Sequence, residues 1–355
     1  MSLLHSKHEK FFNRCLIALP SHAASEDSNK LAIIYFCLQG LEILNKFNLT
    51  KEECKYHEEF IWSQFYLEHD DFATFRSTSY YKDTGAYDFG NLSACFFAIA
   101  SLITLNSNLE KLHKNKLMKY LQNCQIKDGI NKGGFVPSYE VNFGESDLRQ
   151  CYMALLIRQI LLEKENKLEN DIDLESLQSF ILDRLNVNGG FSSTIMDEPH
   201  LGFTFCAIAS LKLLKYPLLE LEKTKEWLIH RQTSYPSILH NQFNYEYHKQ
   251  EDIGGFNGRE NKLSDTCYSW WCTGSLALID SKNLIYFDTQ TAEEFLLNKT
   301  QNSLLGGFSP RPFGTPDPMH SFLALASLSL WNNQKYQLNE INMLYVICKK
   351  NISTI

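Results

Sequence analysis

A chain of 355 residues, 44% of them hydrophobic and 13% aromatic, has ample material for a large core, which excludes a disordered or fibrous protein. Its formal charge of −7 excludes a general nucleic-acid binder, so any anion must be held by a local basic pocket. Ten cysteines at irregular spacings, with no CxxC pair, read as reduced thiols of a cytoplasmic protein and not as a disulfide framework.

Taken from the start, "MSLLHSKHEKFFNR" lacks the apolar core of a signal peptide, and no uninterrupted apolar run reaches transmembrane length. The first clear element is the apolar run "LSACFFAIASL" after Asn91, preceded by Tyr87-Asp88-Phe89-Gly90. Four stronger copies follow. Gly133-Gly134-Phe135 precedes "LRQCYMALL" after Asp147, and Gly189-Gly190-Phe191 precedes "LGFTFCAIASL" after His200. Gly254-Gly255-Phe256 precedes "TCYSWWCTGSL" after Asp265, and Gly306-Gly307-Phe308 precedes "SFLALASLSL" after His320.

Repeats at intervals of roughly 50 to 65 residues indicate an array of helical hairpins. The runs are apolar nearly all round and rich in Ala, Ser and Cys, as suits inner helices packed closely on both sides. Amphipathic segments between them, such as Leu218–Arg231 and Thr291–Asn302, suit an outer layer. Strand-like alternation is scarce. The pattern predicts an all-α fold, an α/α toroid of concentric inner and outer helices forming one domain over 1–355.

This architecture predicts that Asp147, His200, Asp265 and His320 open inner helices at one end of the ring, where helix N-termini favour anions. Read as plain N-caps, the two aspartates are ordinary, but histidine is a poor cap. Asp265, Cys267 and His320 supply three ligand types from adjacent repeats, the donor set of an open, catalytic zinc site. His200, Arg259, Lys262, Arg149 and the phenol of Tyr268 gather around that trio and suggest a bound diphosphate. The aromatics Tyr152, Phe203, Phe205, Trp270 and Trp271 are predicted to face the interior. A cationic rim over an aromatic funnel suits a long-chain isoprenoid diphosphate.

From about Phe11 to about Trp331 the chain resembles the β subunits of the protein prenyltransferases. The shared patterns are DxRxxY (Asp147, Arg149, Tyr152), HxGxTFC (His200 to Cys206), GRxxKxxDxCYSxW (Gly258 to Trp271) and DxxH (Asp317 to His320). The resemblance implies one catalytic Zn2+ on Asp265, Cys267 and His320, which receives the cysteine thiolate of a C-terminal CaaX sequence. It puts diphosphate binding on His200, Arg259, Lys262 and Tyr268. Lipid contact falls on Ala32, Arg149, Tyr152, Gly202, Phe203, Cys206 and Trp271. It further implies an α subunit as partner and CaaX-ending proteins, such as small GTPases, as acceptors.

Within the family, "FFNRCLIALPSHAASEDSNKLAIIYFCLQGLEIL" is most similar to the type I geranylgeranyltransferases. Farnesyltransferases carry a tryptophan where this chain has Ala32, and a small residue at the bottom of the funnel leaves room for a fourth isoprene. Geranylgeranyl diphosphate is therefore the expected lipid, and acceptors ending in Leu or Phe the expected proteins. Farnesyltransferases also hold Mg2+ on a carboxylate ten residues before the zinc histidine; here Pro310 and Arg311 follow one another, leaving Mg2+ only the diphosphate to bind. Residues 233–252 read as a surface insertion whose His240, Glu246 and His248 belong to a polar loop. A terpenoid cyclase would need a DxDD acid motif, which Asp171-Ile-Asp-Leu-Glu175 does not complete. A helical scaffold with structural zinc would leave the cationic rim without a purpose.

Overall fold

In the computed structural model, residues 2–68, 71–80, 82–140, 144–163, 170–234 and 250–352 are described; His240, Glu246 and His248 lie outside them. The inner helices are α2 (Lys30–Ile43), α4 (Leu92–Thr104), α6 (Leu148–Glu163), α8 (Leu201–Leu213), α10 (Thr266–Ile279) and α12 (Pro318–Tyr336). Each packs on the next, and α12 returns to α2, so the ring closes. The outer helices are α1 (His5–Ile17), α3 (Lys51–Ser63), α5 (Lys114–Cys124), α7 (Leu174–Leu182), α9 (Glu222–Ile229) and α11 (Thr289–Glu294), which continues as a π-helical turn over Phe295–Thr300. The segments 218–231 and 291–302 fall on outer helices, as their amphipathic pattern predicted. The toroid is present, and its first inner helix, α2, has no glycine triplet before it.

The triplets explain the repeat. In each, the first glycine has a left-handed φ, from +76° at Gly306 to +102° at Gly189, a region costly for other residues. A Cβ there would stand 2.1–2.2 Å from a backbone carbonyl at the start of the next outer helix: Ser176 on α7, Lys223 on α9, Thr291 on α11 and Lys7 on α1. Phe135, Phe191, Phe256 and Phe308 are fully buried behind them. The fourth triplet therefore docks on the first helix of the chain.

His8 locks that seam. Its Nδ1 accepts the Gly307 N–H at 2.8 Å, its Nε2 lies 2.8 Å from Gln301 Oε1, and its ring stacks on Phe308 at 4.8 Å. Gln301 also accepts the Leu4 N–H. Gln125 and Gln232 repeat this clasp, each exchanging hydrogen bonds with the N-cap residue of the next outer helix, Asp173 and Asp288. Asp173 caps α7 and Asp171 pairs with Arg158, so the acids of the incomplete cyclase motif are structural and lie in the outer layer.

The end of the ring opposite the inner-helix N-termini is filled by the chain's own C-terminal segment. Besides the short pairings of β1 (Phe65–Glu68) with β2 (Phe72–Phe75) and of β3 (Phe256–Asn257) with β4 (Ser264–Asp265), the chain has a hairpin of β5 (Ile341–Asn342) and β6 (Ile347–Cys348), which enters there, followed by α13 (Lys349–Ile352). Asn339 N–H donates to Ile43 O, and Cys348 N–H to Gln39 Oε1. Deeper in the ring, Tyr35 donates to Val346 O and Tyr152 to Leu344 O, both at 2.6 Å.

Burial depresses the His8 imidazole to about 4 from 6.5, so the folded state holds it neutral, as the accepting Nδ1 requires. A depressed histidine contributes stability in full above pH 6.5, and this is lost as the pH falls toward 4. The loss is on the order of 3 kcal/mol. Unfolding midpoints of the wild type should therefore fall across this interval more steeply than those of His8→Gln; parallel curves would remove His8 as the acid-sensitive point of the seam.

Candidate active site

All the inner helices after α2 start with a side-chain cap, and these caps build the mouth. Asn91, Asp147, His200, Asp265 and Asp317 each accept a backbone N–H of the first turn at 2.8–3.0 Å. Four positions were expected to open helices, and three do. His320 does not: it is the third residue of α12, and Asp317 is the cap. Pro318 supplies a preset φ at the first position, and this moves the helix start upstream of the apolar run.

The displacement gives His320 its geometry. Its Nδ1 bonds Asp317 Oδ2 at 2.6 Å, which turns Nε2 toward Asp265 Oδ1 at 3.1 Å. Asp265 arrives from the other side, on the short pairing of β3 (Phe256–Asn257) with β4 (Ser264–Asp265), and Cys267 follows in the first turn of α10. The Asp265, Cys267 and His320 donor atoms all lie within 4.8 Å of one another. Among the described residues this is the one cluster of three that fits a metal ion. The 3.1 Å edge is close to the ligand spacing of a tetrahedron with bonds of about 2.0–2.1 Å. A histidine whose other nitrogen is fixed by a carboxylate is the usual arrangement of a metal-binding imidazole.

The electrostatics match a cation site. Burial alone would depress His320, but Asp265 and Asp317 more than reverse this and push it up to about 12. Burial would raise Asp265, yet its bond to His320 holds it below its ordinary value. Burial pushes the Cys267 thiol up to about 11, against the pull of His320. The Asp265 and Asp317 carboxylates thus hold a positive charge at this position against the cost of burial.

Next to it is a second cluster. His200 Nε2 lies 3.0 Å from Tyr268 Oη, and the two rings meet edge-on at 5.5 Å. Gly258 makes room for this phenol: a Cβ there would stand 2.1 Å from the Tyr268 ring. Burial, then Arg259 and Arg149, lower His200 to about 4, so it is neutral and not one of the rim's cations. With Nδ1 accepting the Gly202 N–H at 3.0 Å, the proton sits on Nε2 and is donated to Tyr268. Burial raises Tyr268 to about 12, which keeps its hydroxyl free to donate onward.

The remaining cations are partnered or exposed. Arg149 grips Asp147 with two nitrogens and lies over Phe203 at 5.5 Å. Arg259 pairs with Glu198 at 3.0 Å, both side chains nearly half exposed. Lys262 is exposed on the turn between β3 and β4. Arg311 is exposed, and its charge also reaches Tyr268.

Inside the mouth, Ala32, Phe36, Phe97, Gly202, Phe203, Trp271 and Met319 keep part of their surface free, all within the first two turns of inner helices. Tyr152 and Cys206 are buried beside them. Of the two tryptophans, Trp270 is fully buried and only Trp271 reaches the open interior, because neighbours on a helix point about 100° apart. Ala32 is not at an axial bottom. It lies in the first turn of α2, level with the mouth and across the ring from α8.

Residues 3–347 match the prenyltransferase α-α toroid domain family. The chain belongs to that family. Over 92% of its length this prenyltransferase is 30% identical to the geranylgeranyl transferase type-1 subunit beta of Dictyostelium discoideum, covering 90% of that protein. The corresponding Arabidopsis thaliana subunit is also 30% identical, over 92% of this chain and 85% of the relative. Among solved structures, Candida albicans protein geranylgeranyltransferase-I complexed with GGPP aligns with a TM-score of 0.94 and 59% identity, over 100% of this chain and 98% of that one. No helix among the described residues is long and apolar enough to cross a membrane.

Asp317 was assigned no role on sequence grounds beyond its place in the DxxH pattern, yet it fixes the orientation of the His320 ring. Asp317→Asn should weaken retention of a divalent ion by about 10- to 100-fold, the usual effect of losing such a partner. Chelator competition measures this; unchanged retention would mean that Asp317 is a cap and nothing more.

Proposed function

We propose that this prenyltransferase is the catalytic β subunit of a type I protein geranylgeranyltransferase. In this reading it works in the cytoplasm with an α subunit and joins geranylgeranyl to the cysteine of CaaX-ending proteins as a thioether. The observation that carries the reading is the adjacency at one mouth of the Asp265–Cys267–His320 trio and the His200–Tyr268–Arg259 cluster. The former suits a thiolate and the latter a diphosphate. The high identity to a protein solved with GGPP supports the same lipid here. Ala32 supports it too, since it leaves open the wall opposite the diphosphate cluster, where the farnesyl enzymes carry tryptophan.

The ligand chemistry, with soft thiolate, imidazole and one carboxylate, suits zinc. When bound, zinc supplies the positive charge that lowers the pKa of an incoming thiol so that thiolate is available at neutral pH. The chain's residues do the rest. Asp317 fixes His320 with Nε2 inward. Tyr268, held by His200 and by the space at Gly258, donates its O–H to the diphosphate. Arg259 exchanges Glu198 for phosphate oxygens at little cost, because so exposed a pair is worth little in water. Lys262 adds charge from the turn. The acceptor sulfur forms a bond to C1 of the prenyl group, the C1–O bond breaks, and its electron pair leaves with the diphosphate. Negative charge grows on that leaving group, so donors already in place stabilise the transition state.

Purified together with its α subunit and zinc, the chain should transfer labelled geranylgeranyl to a peptide ending in Leu, in preference to farnesyl. Arg259→Ala or Lys262→Ala should slow single-turnover transfer by roughly ten- to a thousandfold. Ala32→Trp should invert the lipid preference while zinc is retained. Preferred farnesyl transfer by the wild type would favour the farnesyltransferase reading, and no transfer of either lipid would sink both.

A further inference from the structure

Two arginines hold the same place in successive repeats and are treated differently. Arg184 follows α7 and Arg231 follows α9, and both are buried. Each backbone carbonyl accepts the N–H of the residue after the triplet phenylalanine, Ser192 at 3.1 Å and Asn257 at 2.9 Å. Each guanidinium lies over the aromatic ring one helical turn earlier, Phe180 in one case and Trp227 in the other. Arg184 is saturated. Its Nε donates to Ser193 O at 3.0 Å, its Nη1 to Phe180 O at 2.8 Å and its Nη2 to Asn131 Oδ1 at 2.8 Å. Arg231 has none of these bonds, and its Nε and Nη1 have no partner among the described residues.

The repeat itself explains the loss. At Pro137, Gly258 and Pro310, the carbonyl two residues after the triplet phenylalanine accepts the first N–H of an inner helix, from Leu92, Leu201 and Thr266. Ser193 is the equivalent carbonyl that Arg184 takes instead. With Gly258 O committed to Leu201, Arg231 Nε is left without an acceptor. Val187 stands where the preceding repeat has Asn131, which removes the acceptor for Nη2. The counter-ion that remains is Glu260, whose Oε1 lies 3.8 Å from Arg231 Nη2. Burial opposes the Arg231 charge, and Glu260 favours it.

Glu260 is out of place on an anion-binding turn. It stands in sequence between Arg259 and Lys262, where a free carboxylate would compete with phosphate oxygens for both cations. It points backward instead, toward Arg231 and toward Asn188, whose Nδ2 donates to Oε1 at 3.4 Å. We infer that Arg231 is a positioning residue for the diphosphate site: it holds and neutralises the Glu260 carboxylate behind the turn, so that Arg259 and Lys262 meet the diphosphate without competition from it. The inference rests on the diphosphate reading of the mouth. Arg231 acts through Glu260 and does not touch the lipid.

The test uses the complex with the α subunit and zinc. It compares binding of geranylgeranyl diphosphate with that of geranylgeraniol, which has the same hydrocarbon and no diphosphate. Arg231→Gln should weaken the diphosphate by about two- to tenfold, the size of one interaction between partly exposed charges, and leave the alcohol unchanged. Adding Glu260→Gln should restore the diphosphate affinity, because no carboxylate is then left to hold; a merely structural arginine would show no such rescue. Glu260→Gln alone should bind the diphosphate at least as tightly as the wild type, and it decides the matter if Arg231→Gln does not assemble. Wild-type affinity in Arg231→Gln, a loss shared by the alcohol, a loss that persists in the double variant, or weakened binding in Glu260→Gln alone would each overturn the assignment. Wild type that binds alcohol and diphosphate equally would instead sink the diphosphate reading beneath it.

Discussion

Six parallel helices that are apolar on nearly every side are protected from water only if the last packs against the first. Closure is the constraint on which everything else in this chain depends. Every inner helix must run the same way, so every connection must pass back through an outer helix, and every return needs a tight turn. The left-handed glycine at Gly133, Gly189, Gly254 and Gly306 makes that turn, and the carbonyl it nearly touches belongs to the next outer helix. At Gly306 the next outer helix is α1, and His8 completes the seam.

Closure also concentrates chemistry. It gathers the inner-helix N-termini, with their exposed N–H groups and partial positive charge, around one opening. Side chains that cap those helices are thereby held near each other at no separate cost in chain entropy. Asp265 and Asp317 cap neighbouring helices and meet on His320; His200 caps a third and meets Tyr268. Asp265 and His200 are cap and functional group at once, and Cys267, Tyr268 and His320 sit in the first turn, so the site is as rigid as the helix starts. The opposite end gathers C-termini and, among the described residues, holds the chain's own hairpin.

Much of this was legible in the sequence because the physics is local. Left-handed turns select glycine, caps select short polar side chains, and both recur at fixed spacing, so the ring and its mouth followed from the four triplets. Asp265 and Cys267 were legible because two donors in one first turn are close whatever the fold does. Other features depend on tertiary context and left no local mark. The first inner helix, α2, follows a 3-10 run over Ser21–Asn29 and carries no triplet. Asp317 looked like part of a motif and is the cap that aims His320. His200 reads as a cation in sequence and is neutral in the fold, because burial and two arginines oppose its charge. Ala32 was expected at an axial bottom that the hairpin occupies; its distance from the mouth could not be read without knowing where α2 begins.

Anomalous diffraction at the zinc edge, from crystals of the heterodimer holding a geranylgeranyl diphosphate analogue, tests the account most directly. One peak is expected about 2.0–2.3 Å from Asp265, Cys267 and His320. The diphosphate should lie against Tyr268, His200 and Arg259, and the hydrocarbon should cross the ring toward Ala32. A metal held elsewhere, or a lipid density that displaces the hairpin and runs down the ring axis, would contradict it.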